Sequence, residues 1–257
     1  MLSIKITDNL ISGPFSSLLT SISIMNHQIM MSTQFTEEEC EIWKKSMSIY
    51  LEKEQSSIYI HSISESTAQS SNYLLNELRK STIVSAIISF TSSFEYYLKE
   101  IIELSLQRNS SLRKKAFSKL EISALELEKD IELNEIKKRT FRIISADKSK
   151  GQLFSEKMKR ASTFLAIPDI RGAKNLFHTL DSIWKLRNEF AHTNTNFNRT
   201  YEINTLKKNL LLKPESTKEE YLKFTFELIN IFNTFLYYME EWDKSVLDKW
   251  EANDFVH

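Results

Sequence analysis

Residues 173–192 read AKNLFHTLDSIWKLRNEFAH, and the spacing of their apolar positions decides the fold. Ala173, Leu176, Phe177, Leu180, Ile183 and Trp184 recur at intervals of three and four, the pattern of a helix with one buried face. The next slot of that face holds Arg187, followed by Asn188. A guanidinium thus stands where Leu belongs, and burying it is costly unless an acid, a phosphate or a second subunit satisfies its donors. His192 lies four residues beyond Asn188, on the same side of the helix.

The same period, followed outward through the 257 residues, predicts further helices over residues 36–60, 70–108, 114–144, 152–166 and 217–247 beside the one at 171–191. Composition agrees with an all-α chain. Three Gly and three Pro leave little with which to build tight turns, and the scattered Gly13, Gly151 and Gly172 form no glycine-rich phosphate loop. Between Phe197 and Pro214, Tyr201, Ile203 and the run Leu210 to Leu212 suggest a short hairpin or loop, after which Pro214 and Ser216 start the last helix. That helix carries Tyr221, Phe224, Phe226, Phe232, Phe235, Tyr237, Tyr238 and Trp242 on more than one face. It is either the centre of a bundle or a helix shared with a second subunit.

From Asn9 to Thr36 no side chain is charged apart from a protonated His27, yet Ser, Thr, Asn and Gln interrupt the stretch throughout. It lacks the run of about 18 apolar residues that a membrane-spanning helix needs, and reads as an ordered extension or arm. The Ser-rich segment from Ser56 to Ser71 marks a soft boundary. Residues 1–70 are therefore expected to form an N-terminal arm and helical extension, and residues 71–257 a helical bundle.

Lys and Arg number 34, as do Asp and Glu, so the overall field is weak and any anion site must be local. The basic runs Arg113-Lys114-Lys115, Lys137-Lys138-Arg139 and Lys157 with Lys159-Arg160 read as solvated faces or as an RNA path. Cys40 is the only cysteine, which leaves no internal disulfide or thiolate cluster and makes the cytoplasm the default compartment. His27, His61, His178 and His257 lack partners at metal-ligand spacing, so neither metal nor cofactor is expected. A second charge breaks an apolar stripe in the helix carrying Val84, Ile88, Thr91, Leu98 and Ile102, where the spacing delivers Glu95. Glu95 either neutralises Arg187 as a core ion pair or serves at a site.

The segment Arg187-Asn188-Glu189-Phe190-Ala191-His192, closing an amphipathic helix in a helical chain, resembles the Arg-x4-6-His motif of HEPN-domain proteins, many of which are metal-independent ribonucleases. Asn188 fits the polar residue that follows the Arg. The helix from Ser89 to Lys99, with Glu95, is similar to the acid-bearing helix of many such domains, and the irregular stretch before the final helix also fits. Arg171 and His178 satisfy a longer version of the spacing, but Gly172 follows that Arg and the pair stands at the start of the helix. The resemblance covers residues 72–250.

It implies a HEPN-like antiparallel bundle acting as an endoribonuclease, with Arg187, Asn188, His192 and Glu95 as catalytic residues. It also implies a homodimer that brings two such motifs into one cleft, RNA as substrate, and a toxin or antiphage role with an antitoxin or regulatory partner. The alternative that the resemblance carries is a non-catalytic HEPN-type binding or adaptor module. Thr193 and Asn194 follow His192, so the Tyr found after the motif in toxins paired with nucleotidyltransferases is absent.

Overall fold

The computed structural model describes residues 11–53, 70–118, 133–168, 173–192, 200–205 and 208–254. Among them are eight helices: α1 (Gly13–Gln34), α2 (Glu37–Lys53), α3 (Ser71–Arg108), α4 (Ser110–Phe117), α5 (Leu133–Lys148), α6 (Phe154–Leu165), α7 (Lys174–His192) and α8 (Lys218–Asp254). Strands β1 (Tyr201–Asn204) and β2 (Asn209–Leu212) pair antiparallel, Tyr201 opposite Leu212. The chain is all-α, with the short hairpin where alternating Tyr201, Ile203, Leu210 and Leu212 turn their side chains inward.

Two long helices without Gly or Pro, α3 and α8, form the axis, and the other helices pack around them. Phe90 stacks on Phe232 with ring centroids 4.2 Å apart, and Phe94, Phe154, Trp184 and Phe235 close a buried aromatic cluster about them. Burying several such rings, each contributing about 1.5–3 kcal/mol, is the main force that holds α3, α6, α7 and α8 together. Further contacts set the helix directions. Tyr97 meets Asp243 and Trp250 meets Ser105, so α3 and α8 run parallel. Phe177 meets Tyr238 whereas Trp184 meets Phe90, so α7 runs antiparallel to them. The expected antiparallel bundle therefore holds for α1 and α7 but not for the central pair, because the elements between α3 and α8 return the chain to its starting end.

The segment read as an arm enters the core. Phe15, Leu18, Ile22, Met25 and Ile29 of α1 recur at three and four and belong to the same buried cluster as α3 and α8. The Ser and Thr between them face outward, and Thr20 and Ser21 bond to backbone carbonyls one turn back. Packing thus does not divide at residue 70. The start of α1 is fixed by a buried polar knot: Ser12 N and Oγ donate to the Asp243 carboxylate at 2.8 and 2.6 Å, and Tyr97 OH donates to it at 2.9 Å.

Two other expectations change. The span 114–144 contains the end of α4 and most of α5, and residues 119–132 lie outside those described. The last helix is capped by Thr217 rather than by Ser216. Thr217 N donates to Glu220 and Glu220 N donates to Thr217 Oγ1, a reciprocal capping box, while Ser216 Oγ closes the preceding turn by accepting from Lys213 N.

Candidate functional site

Helix α7 carries the candidate residues, and its end is positioned by the hairpin. Asn204 N donates to Ser182 Oγ at 2.8 Å, and Phe190 meets Tyr201 edge to face at 5.0 Å. These contacts tie β1 against the helix one turn before and one turn after the candidate arginine. Leu186 and Phe190 complete the buried face begun by Leu180, Ile183 and Trp184. Arg187 and Asn188 consequently sit at its rim, both half-buried, which corrects the expectation of a guanidinium inside the stripe. Helical period explains the difference: after Trp184 the buried line passes through Leu186 and Phe190, leaving position 187 on the border.

Arg187 Nη1 donates to Asn188 Oδ1 at 3.1 Å, so the two candidate polar groups are joined. Among the described residues Arg187 takes part in no ion pair. A guanidinium has five donors, and one neutral amide leaves most of them for water or a ligand. The imidazole of His192, the last residue of α7, lies outside the described side chains, as do residues 193–199 after it.

Glu95 does not pair with Arg187. Its Oε1 lies 3.1 Å from Lys157 Nζ on α6. The Lys157 side chain is 8% exposed and that of Glu95 26%, so the carboxylate that interrupts the α3 stripe satisfies a buried ammonium. The structure brings Arg187 and Asn188 together and places Glu95 with a different helix.

The more deeply buried guanidinium belongs to Arg79, which the sequence reading passed over. It is 4% exposed, donating from Nη2 to Phe35 O at 3.2 Å and from Nη1 to Asn76 Oδ1 at 3.3 Å. Burial pulls its pKa below the ordinary arginine value, against the opposing fields of Tyr221 and Glu37. Its spacing from Leu75 and Ile83, four residues each way, was the available signal.

His178 is exposed, and Arg171 lies outside the described residues. No group of three or more His, Cys, Asp or Glu stands together to hold a metal among the described residues, and no helix there is long and apolar enough to cross a membrane. Compared with known proteins, the chain matches no family model, and no curated protein or solved structure proves similar to it.

Proposed function

We propose that this protein is a metal-independent endoribonuclease of the HEPN type, cleaving RNA through its own 2′-hydroxyl. The observation that carries the reading is the half-buried Arg187 held beside Asn188 at the end of α7, free of any ion pair among the described residues. Such a guanidinium keeps its charge and planar donor fork for phosphate oxygens. His192 supplies an imidazole that exchanges protons near neutrality.

In the reaction, His192 takes the proton of the 2′-hydroxyl, whose oxygen bonds to phosphorus while the bond to the 5′-oxygen breaks. Arg187 balances the charge that gathers on the phosphate, and Asn188 orients Arg187. The leaving oxygen takes up a proton, giving a 5′-hydroxyl and a 2′,3′-cyclic phosphate. One imidazole does not readily serve both sides of the phosphorus, so a second copy of the chain provides the other His192 in a homodimer. Glu95, engaged by Lys157, has no direct part in this scheme. A cytoplasmic toxin or antiphage role with a neutralising partner follows from the family resemblance.

The test is cleavage of a labelled RNA pool in EDTA by the wild type and by His192→Ala, with fold checked by circular dichroism. Cyclic-phosphate ends made only by the wild type are the expected result. Equal silence from both proteins would sink the catalytic reading in favour of a binding or adaptor module.

A further inference from the structure

A groove of about 770 Å3 lies where α4, α5 and α6 meet, with five cationic side chains and one carboxylate on its walls. The carboxylate, Asp147, is shared by Lys148 at 2.8 Å and Arg160 at 3.6 Å. Lys115, Lys150 and Lys159 are exposed and, among the described residues, stand in no ion pair. Two of the basic runs seen in the sequence thus converge on one concave surface, joined by Lys148 and Lys150 from the end of α5 and beyond. Lys157 is not among them, since it faces Glu95.

Between these cations the groove is apolar. Ile143 is 60% exposed, and Lys148 Nζ stands 5.9 Å from the ring centre of half-buried Phe164. Ammonium groups that stand in no ion pair among the described residues, around an exposed apolar floor, fit a ligand that is anionic along its length and flat and weakly polar between its charges. Single-stranded nucleic acid has that pattern, with phosphates for the rim and bases for the floor.

We propose that this groove holds a single-stranded stretch of RNA, its phosphates against Lys115, Lys150 and Lys159 and its bases over Ile143 and Phe164. The choice of RNA over an acidic peptide rests on the ribonuclease reading. Concavity argues against a flat lipid surface. The groove is not the cleavage site: Phe177 contacts Tyr238 and Ser162 contacts Trp242, which places Arg187 and the groove roughly 20 Å apart along the bundle axis at 1.5 Å per residue. Along the axis that distance equals about six stacked nucleotides at 3.4 Å each.

The experiment measures fluorescence anisotropy of a labelled single-stranded RNA of about twenty nucleotides, longer than a typical single-strand site, with full-length His192→Ala protein in EDTA. Adding Lys115→Gln, Lys150→Gln and Lys159→Gln, all at exposed positions, is expected to weaken binding at least tenfold. The slope of log affinity against log salt should fall by about 2, at roughly 0.7 per lost contact. Ile143→Asp is expected to weaken RNA more than it weakens inorganic polyphosphate, which has no bases to seat on the floor.

Undiminished binding by the triple variant overturns the proposal, as does absence of RNA binding when polyglutamate or vesicles of anionic lipid bind through the same lysines. Groove-dependent binding without cleavage by the wild type would keep the groove and sink the ribonuclease. Cleavage by the wild type with no groove-dependent binding would do the reverse.

Discussion

Lys157 Nζ stands 3.1 Å from Glu95 Oε1, so the acid that breaks the apolar stripe of α3 is answered by an ammonium from α6. Removing the carboxylate leaves a nearly buried cation without its counter-charge, which costs more than losing a surface pair. Glu95→Ala should therefore destabilise the fold by about 2 kcal/mol, read by urea denaturation, while RNA cleavage by the folded fraction persists. Adding Lys157→Met should recover much of the loss. Unchanged stability with lost cleavage would return Glu95 to the catalytic set.

Asp243 joins three helices by accepting from Ser12 and Tyr97, and its own burial is the main force on its titration. Desolvation lifts its pKa above the ordinary aspartate value, against the lowering influence of the Ser12 and Tyr97 hydrogen bonds. The folded state then holds its proton to higher pH than the unfolded state. Stability from this group is greatest below the ordinary aspartate range and declines as pH rises from there through the folded value. The difference in unfolding free energy between wild type and Asp243→Asn should follow that decline. A pH-independent difference would refute it.

Tyr97 extends the argument to alkaline pH. Burial first, then the adjacent Asp243 charge, pushes its phenol well above the ordinary 10.0. Unfolded chains ionise this tyrosine before folded ones do, so the fold should lose stability as pH climbs past 10. Tyr97→Phe should cost about 1–2 kcal/mol at neutral pH through the lost hydrogen bond to a buried carboxyl and should flatten the alkaline decline. A decline as steep as the wild type's would assign it to other groups.

Much of this architecture is legible in the sequence, and what is not has a common cause. Helical period exposes α3, α7 and α8, and alternation exposes the hairpin at Tyr201 and Ile203. The stripe of α1 is equally regular, at Phe15, Leu18, Ile22, Met25 and Ile29, but its outer face carries uncharged Ser, Thr, Asn and Gln together with exposed Ile24 and Met31, so the contrast between the two faces is weak and a core helix reads as an arm. Partners distant in the chain are the other blind spot. Nothing near Glu95 points to Lys157, and nothing near Ser12 points to Asp243. Arg187 shows the limit of the period itself, since one residue of drift separates a core position from its rim.

At the candidate site, shape and charge can be separated. Arg187→Lys keeps a cation but loses the planar fork, whereas Arg187→Ala loses both. If the guanidinium grips phosphate, both variants should cut RNA at least about a hundredfold more slowly, with stability within about 1 kcal/mol of wild type because the side chain is half-buried at the rim. Full activity of Arg187→Lys would reduce the residue to a point charge.

Helix α6 begins at Phe154 after Leu153, which offers no side-chain cap. The acceptor comes from α7 instead: Asp181 receives Ser155 N at 2.8 Å and Ser155 Oγ at 2.7 Å. This carboxylate both satisfies an orphan donor and meets the positive end of the helix dipole. Asp181→Ala should cost about 1–2 kcal/mol, and Asp181→Asn less. Hydrogen exchange should quicken first at the start of α6; uniform quickening across the bundle would instead mean that Asp181 acts on the whole core.

The other end of α6 carries backbone strain. Ala166 closes the helix at φ 53°, in the left-handed region, with its N–H donating to Thr163 O at 3.3 Å and Ile167 N donating to Ser162 O at 2.9 Å. A Cβ in this conformation costs roughly 1–2 kcal/mol, while glycine gives back about 0.5–1 kcal/mol through the greater freedom of its unfolded chain. The first effect is the larger. Ala166→Gly should therefore stabilise the protein by about 0.5 kcal/mol, measured as a higher urea midpoint at unchanged slope. A lower midpoint would show that the Ala166 methyl makes packing contacts worth more than the strain it brings.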